Sequence, residues 1–492
     1  MIDTDAMQNH IRDANPIPHV ENLDTDELAH FVAAAQTRRA TAMQAPTQPT
    51  PTTRQAQGRR SVWAFAAAFV VILVVVGAAA LLLRNDDMQV TDEPVPTTSI
   101  EPTPSTTVAV PPTEPSLVES LVWSRVSYDE AVFGPQGEGG PYYGGSRDRR
   151  MAGVSAGGPG FVAVGRMGGA AAVWTSSDGL TWARIPHNEA AFGSVSVPHD
   201  EMGTRMLDVT GGGPGLVAVG SAFAAAQPPY PEVWVSSDGI TWSRVPDRPV
   251  GDGPLWGVTA GGPGLVAVGG GQVWTSVDGL TWTSSPQRLN GDGEPNVIDG
   301  YAVDVVAGGP GLVAVGGSDW VAAVWTSTDG ITWTRVPHDE AVFGKEWTGI
   351  SSVSIGGPGL VAVGEWTSTD EEDPEAVRQQ AAVWTSTDGM TWTRVPHDET
   401  VFGDSTMSSV AAAGNGLVAV GSRWLDAENC QYECQAAAVW TSTEGLMWRR
   451  VVHDEAVFEG HQMTSVTAGD RGVVAVGEGE SNPAAWMAVP AD

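Results

Sequence analysis

The 492-residue chain contains a single lysine, Lys345, and only 25 Lys and Arg against 58 Asp and Glu, for a formal charge of −33. Recognition of nucleic acid needs clustered cations to meet the phosphate backbone. Residues 1–60 hold six Arg and seven Asp/Glu, so nearly all the negative excess lies beyond them, in a part of the chain with no run of cations. Nucleic acid is therefore not an expected partner, and anionic surfaces are expected to repel this part. Cysteine is almost as scarce. Cys430 and Cys434 alone are too few for a metal site; in an oxidising compartment they are expected to close a short disulfide loop that shapes one segment. P-loop and His-Glu-x-x-His signatures are absent, so no phosphate cradle or zincin site is offered.

Only one stretch is apolar enough to cross a membrane. Residues 61–83, SVWAFAAAFVVILVVVGAAALLL, run for 23 positions without a charge, and about 20 such residues span a hydrocarbon core of about 30 Å. A cleaved signal peptide has a shorter apolar core and a short basic start, so the sixty-residue leader argues against cleavage after Ala78-Ala79-Ala80. Arg54, Arg59 and Arg60 precede the run, whereas Arg84 is followed by Asp86 and Asp87. The positive-inside bias predicts a cytoplasmic N-terminus and a single-pass membrane protein whose remainder lies outside. Residues 1–60 are then a cytoplasmic leader with one short helix near residues 25–39, where Leu28, Phe31, Val32 and Ala35 share a face. Residues 84–117 read as a Pro/Thr-rich stalk of polyproline character.

Beyond the stalk the chain repeats itself. GGPGFVAVG at 157–165 returns as GGPGLVAVG at 212–220, 261–269, 308–316 and 356–364, then as AGNGLVAVG at 413–421 and GDRGVVAVG at 469–477. A short β-type run such as Met206-Leu207-Asp208-Val209 precedes each copy, and a hairpin such as VWTSTDGMTWTRV at 383–395 follows. Asp-Gly at the hairpin tip suits a two-residue turn with both central residues at positive φ. Four antiparallel strands per roughly 50 residues, seven times over, predict an all-β, seven-bladed β-propeller across residues 118–492. Residues 484–489 leave room for only a third strand in the last blade, so its outer strand is expected from residues 121–126, LVWSRV, closing the ring from the N-terminal side.

The hairpin tips, Ser176…Asp178-Gly179…Thr181-Trp182 and counterparts at Asp238, Asp278, Asp329, Asp388 and Glu444, resemble the Asp-box, S-x-D-x-G-x-T-W, of BNR-repeat, sialidase-like propellers. Here Gly follows Asp directly, and the sixth copy carries Glu444 and Met447. The resemblance implies the propeller fold and a structural role for these six turns, away from the family's active site. A sialidase also needs an Arg trio for the substrate carboxylate, a Tyr nucleophile with a Glu partner and an Asp acid/base. Tyr142, Tyr143, Arg147, Arg149 and Arg150 are present, but nothing like the family's N-terminal Arg motif is.

In such a blade the first-to-second and third-to-fourth turns share one uniform face, and the other connections form the opposite, variable face. Segments 135–150, 227–232, 365–380 and 422–435 vary most, which makes that face the expected place for binding. Trp366 and Trp424, read as lying in its loops, are the aromatic candidates. The recurring His-Asp-Glu linker adds Asp339, Glu340, Asp398 and Glu399, either as ligands for a cation such as calcium or as a spacer anchored by Val342-Phe343 and Val401-Phe402. No catalytic residue is assigned. The expected function is a non-enzymatic, membrane-anchored, extracytoplasmic module that binds a protein or a cell-envelope polymer. Alternatives are a sialidase-like glycosidase or lectin, and a transmembrane sensor with a regulatory leader.

Overall fold

The computed structural model describes residues 117–135, 149–193, 203–223, 228–247, 249, 251, 253–285, 300–318, 320–345, 347–369, 377–425, 435–479 and 482–491. The leader, the apolar run 61–83, the stalk up to residue 116 and the pair Cys430 and Cys434 lie outside them. Among the described residues no helix is long and apolar enough to cross a membrane.

Seven four-stranded antiparallel sheets make up the described part. Blade 1 is typical, with strands Arg149–Gly157, Gly160–Met167, Ala170–Ser176 and Trp182–Arg184. Its second strand reads as a continuous apolar run because both of its faces are covered, and Val162, Ala163 and Val164 are fully buried. The first strand of every blade touches the first strands of both neighbours, and the circle closes between blades 7 and 1. Blade 7 takes its outer strand, Leu121–Arg125, from the N-terminal side: Leu121 lies opposite Pro490 and Arg125 opposite Trp486. The seven-bladed, N-terminally closed propeller expected from the repeats is thus the observed fold.

Cores lie between blades. One cluster joins Val313 and Val315 of blade 4 to Trp384 and Trp392 of blade 5 through the linker residue Phe343. The third-strand tryptophans Trp174, Trp234, Trp274, Trp325, Trp384, Trp440 and Trp486 are all fully buried, and each such ring withdraws about 150–250 Å² from water.

The hairpin tips differ from the expected two-residue turn. Strand three of blade 5 ends at Ser386 and strand four is only Thr393–Arg394. Between them Asp388 Oδ1 accepts the N–H groups of Met390 and Thr391 at 2.8 and 2.7 Å, Gly389 N–H donates to Ser386 Oγ, and Trp392 Nε1 donates to Gly389 O. Only the glycine takes positive φ, 76° at Gly389. A side-chain-capped loop has replaced the tight turn, because the carboxylate satisfies two backbone donors that a two-residue turn would not present. In the sixth copy Ser442 and Trp448 keep their bonds around Gly445.

A second set of bonds stitches the inner ring. Each first strand has a register irregularity, and the residue after it faces the next blade. Ser352, Ser409 and Ser465 Oγ accept N–H groups of Val410, Val466 and Val154 in the following blade at 3.2–3.3 Å. Blades 2 and 4 carry Asp208 and Asp304 at this position, each preceded around the ring by glycine, Gly153 and Gly257. Each aspartate serves its own neighbour and the next blade: Asp208 accepts from Val209 and Val258, Asp304 from Val305 and Val353, all at 2.7–2.9 Å. A Cβ on Gly153 would meet Leu207 O at 2.9 Å and Asp208 Cα at 3.0 Å, both backbone atoms of the next blade. Gly153→Ala is therefore expected to destabilise the ring by about 1–3 kcal/mol through overpacking, read as a lower urea midpoint with an unchanged slope.

Candidate functional site

Entry of the chain distinguishes the two faces. Val118 is buried against Gly416, which opens the second strand of blade 6, and Arg449, at the start of that blade's fourth strand, donates to Glu119 O at 2.5 Å. Both contacts lie at the uniform face. The last described residue, Ala491, donates to Ser120 O there as well.

On the opposite face, five linkers fold into one helical turn each: Glu130–Phe133, Glu189–Phe192, Glu340–Phe343, Glu399–Phe402 and Glu455–Phe458. Asp or Asn at the N-cap turns its side chain back onto the backbone, a short polar group satisfying an otherwise orphaned helix donor. Asp339 caps Ala341 N–H at 2.9 Å, and Asp398 takes Thr400 N–H and Oγ1–H. The Thr400 hydroxyl and N–H hold the Asp398 carboxyl below the usual aspartate range. Glu340 pairs with Lys345 at 3.0 Å and Glu399 with His397 at 3.0 Å. The phenylalanines are buried, and the linker histidines lie over them, His338 at 6.1 Å from Phe343 and His397 at 6.2 Å from Phe402. The four acidic candidates are thus spent on local bonds in two separate linkers. No group of three or more His, Cys, Asp or Glu suited to a metal assembles among the described residues.

Each of these turns also serves the blade that follows. The carbonyls of Val132, Ala191, Val342, Val401 and Val457 accept Nε1–H from Trp174, Trp234, Trp384, Trp440 and Trp486 at 2.6–2.9 Å. No such turn precedes blades 3 and 4 among the described residues, and there the Nε1 groups of Trp274 and Trp325 have no acceptor.

The aromatic candidates separate. Trp366 is not in a loop: strands two and three of blade 5 extend to Thr369 and Val377, and Trp366 pairs with Gln380 in that ladder. Its ring packs on the core between blades 4 and 5, with the Arg394 guanidinium 3.8 Å from the ring centroid. Trp424 likewise ends a strand, opposite Gln435, but stays 45% exposed, its N–H held by Asp404 O at 2.9 Å. The most open aromatic pair was not singled out from sequence. Trp320, between strands two and three of blade 4, and Trp347, in the linker to blade 5, are 68% and 57% exposed with ring centroids 4.8 Å apart. Trp347 N–H donates to Trp320 O at 2.6 Å, and Thr367 Oγ1 donates to Trp347 O. Both residues sit at positive φ, 66° and 68°, a conformation costing a bulky residue of order 1–3 kcal/mol unless surrounding bonds enforce it.

No protein-family model matches the chain. No curated protein matches it either. Among solved structures, it is similar to YCF48 from Cyanidioschyzon merolae, at 15% identity over 74% of this chain and 98% of that one, with a TM-score of 0.41. A second likeness is the Neurospora crassa Pan2 WD40 domain, at 11% identity, 70% and 89% coverage and a TM-score of 0.38. A third is a thermostable family-43 glycoside hydrolase, at 11% identity, 56% and 91% coverage and a TM-score of 0.27. These values carry no functional argument, and the propeller stands on its own sheet order.

Proposed function

We propose that the chain is a non-enzymatic binding module, held outside the membrane by residues 61–83, whose variable face receives a protein or cell-envelope polymer. The exposed Trp320–Trp347 pair carries this reading. Two large rings are left exposed at positive φ, and the Trp347 N–H to Trp320 O bond ties the two residues together. A platform of that kind suits a ligand with an apolar flat face, a sugar ring or an apolar side chain.

The test is thermal unfolding of the full-length chain in detergent micelles, titrated with isolated envelope polysaccharide, because a ligand that binds only the folded state raises the midpoint. A saturable rise is expected, with affinity about tenfold weaker in the Trp320→Ala, Trp347→Ala double variant, about 1.4 kcal/mol of lost stacking. A rise that survives the double variant unchanged would remove the platform from the binding site. A polysaccharide that does not move the midpoint would leave a protein as the ligand. Calcium and EDTA in the same assay test the linker carboxylates: a midpoint indifferent to both would sink the cation reading.

A further inference from the structure

Arg150 and Arg166 are Cα partners across the first two strands of blade 1, and like charges directly opposite each other on a sheet oppose the pairing. Arg205 holds the matching place in blade 2: it pairs with Ser221 and precedes buried Met206 just as Arg150 pairs with Arg166 and precedes buried Met151. The first strands of these blades are neighbours in the inner ring, so three guanidiniums from three strands gather at its variable-face rim.

Arg205 is fixed in place. Its Nε donates to Ser221 Oγ at 3.1 Å, and its guanidinium carbon lies 4.8 Å from the Phe223 ring and 5.5 Å from the Trp256 ring. That arrangement leaves its terminal nitrogens to meet something else. Partial burial, with the charges of Arg150 and Arg166, holds its pKa down to about 10. Neither Arg150 nor Arg205 is ion-paired with a carboxylate among the described residues, in a chain with more than twice as many acids as bases. The Arg150 and Arg205 guanidiniums thus meet no carboxylate among the described residues, and an anion between them offsets their mutual repulsion.

We infer that Arg150 and Arg205, beside Arg166, form an anion site for a phosphate group, free or borne by a polymer. A planar carboxylate offers two oxygens in one plane, enough for one guanidinium fork. Donors arriving from the first strands of two neighbouring blades match a tetrahedral anion better. The surrounding negative charge discourages unspecific anions at long range, so binding depends on direct contact. The site lies in blades 1 and 2, away from Trp320 and Trp347, and stands or falls independently of them.

The test is the thermal midpoint of the full-length chain in detergent micelles, titrated with sodium phosphate against sodium chloride at constant ionic strength. A saturable rise specific to phosphate is expected. Half-saturation is expected to need at least about tenfold more phosphate in Arg150→Gln and in Arg205→Gln, with Arg205→Lys between, since lysine keeps the charge without the planar fork. Arg150→Gln leaves the Phe223 and Trp256 packing untouched and decides the matter if Arg205→Gln does not fold. Phosphate acting no differently from chloride, or equally on wild type and Arg150→Gln, overturns the site. A rise with sodium acetate and none with phosphate overturns the phosphate assignment.

Discussion

Asp208→Ala is expected to lower the stability of the propeller by about 2–4 kcal/mol at pH 5, and by clearly less at pH 9. The carboxylate accepts two backbone N–H groups, Val209 in its own strand and Val258 in the next blade, both at 2.8 Å and both from buried valines. Alanine leaves both donors without an acceptor, and an unmet buried donor costs about 1–3 kcal/mol. The pH dependence follows from the ionised form. Burial, with a smaller contribution from the charge of Asp304, raises the Asp208 pKa to about 7, against the opposing pull of the two N–H groups. A carboxyl whose folded pKa lies above its unfolded value of 3.8 contributes stability that is full below the unfolded value and is lost as pH rises through 7. Wild type therefore gives up part of this contribution between pH 5 and pH 9, and the alanine variant has none to give up. Urea midpoints of both proteins at the two pH values check the point. A loss that is equal at both, or larger at pH 9, would mean that Asp208 is ionised throughout.

The blade count was legible because the Gly-rich second strand is an interior strand, and burial on both faces leaves a continuous apolar signature that repeats. Closure was legible by counting strands, since the seventh blade lacked one that residues 121–126 supplied. What escaped depended on contacts between repeats or on side chains acting upon backbone. Asp388 caps Met390 and Thr391, a bond pattern that Asp-Gly does not distinguish from a two-residue turn. Trp366 lies beside polar residues, Thr367 and Gln379, that carry no apolar alternation, yet it continues the ladder of blade 5, as Trp424 does in blade 6. Trp320 and Trp347 are 27 positions apart and meet only through a backbone conformation that tryptophan rarely adopts. Arg150 and Arg205 fall together only when the first strands are laid in register. The Gly153–Asp208 and Gly257–Asp304 pairs belong to the same class, residues whose partner is the next blade.

The recurring linker makes a prediction internal to one molecule, since five blades have the helical turn and two lack it among the described residues. Phe343→Ala is expected to cost about 3–5 kcal/mol, the range for removing a buried aromatic ring, because Phe343 is 3% exposed and fills the gap between blades 4 and 5. Trp384→Phe then isolates the polar part of the same joint. It removes the donor to Val342 O at 2.6 Å and leaves that carbonyl unmet. Trp325→Phe removes a ring of the same size, equally buried, whose Nε1 has no acceptor among the described residues. Losing an unpartnered buried N–H returns part of the cost of the lost ring, whereas losing a partnered one adds to it. Trp384→Phe is therefore expected to be more destabilising than Trp325→Phe by about 1–3 kcal/mol, measured as urea midpoints of the two single variants at one pH. Equal losses would mean that the turn acts by filling space alone, and that its carbonyl contributes nothing to holding successive blades together.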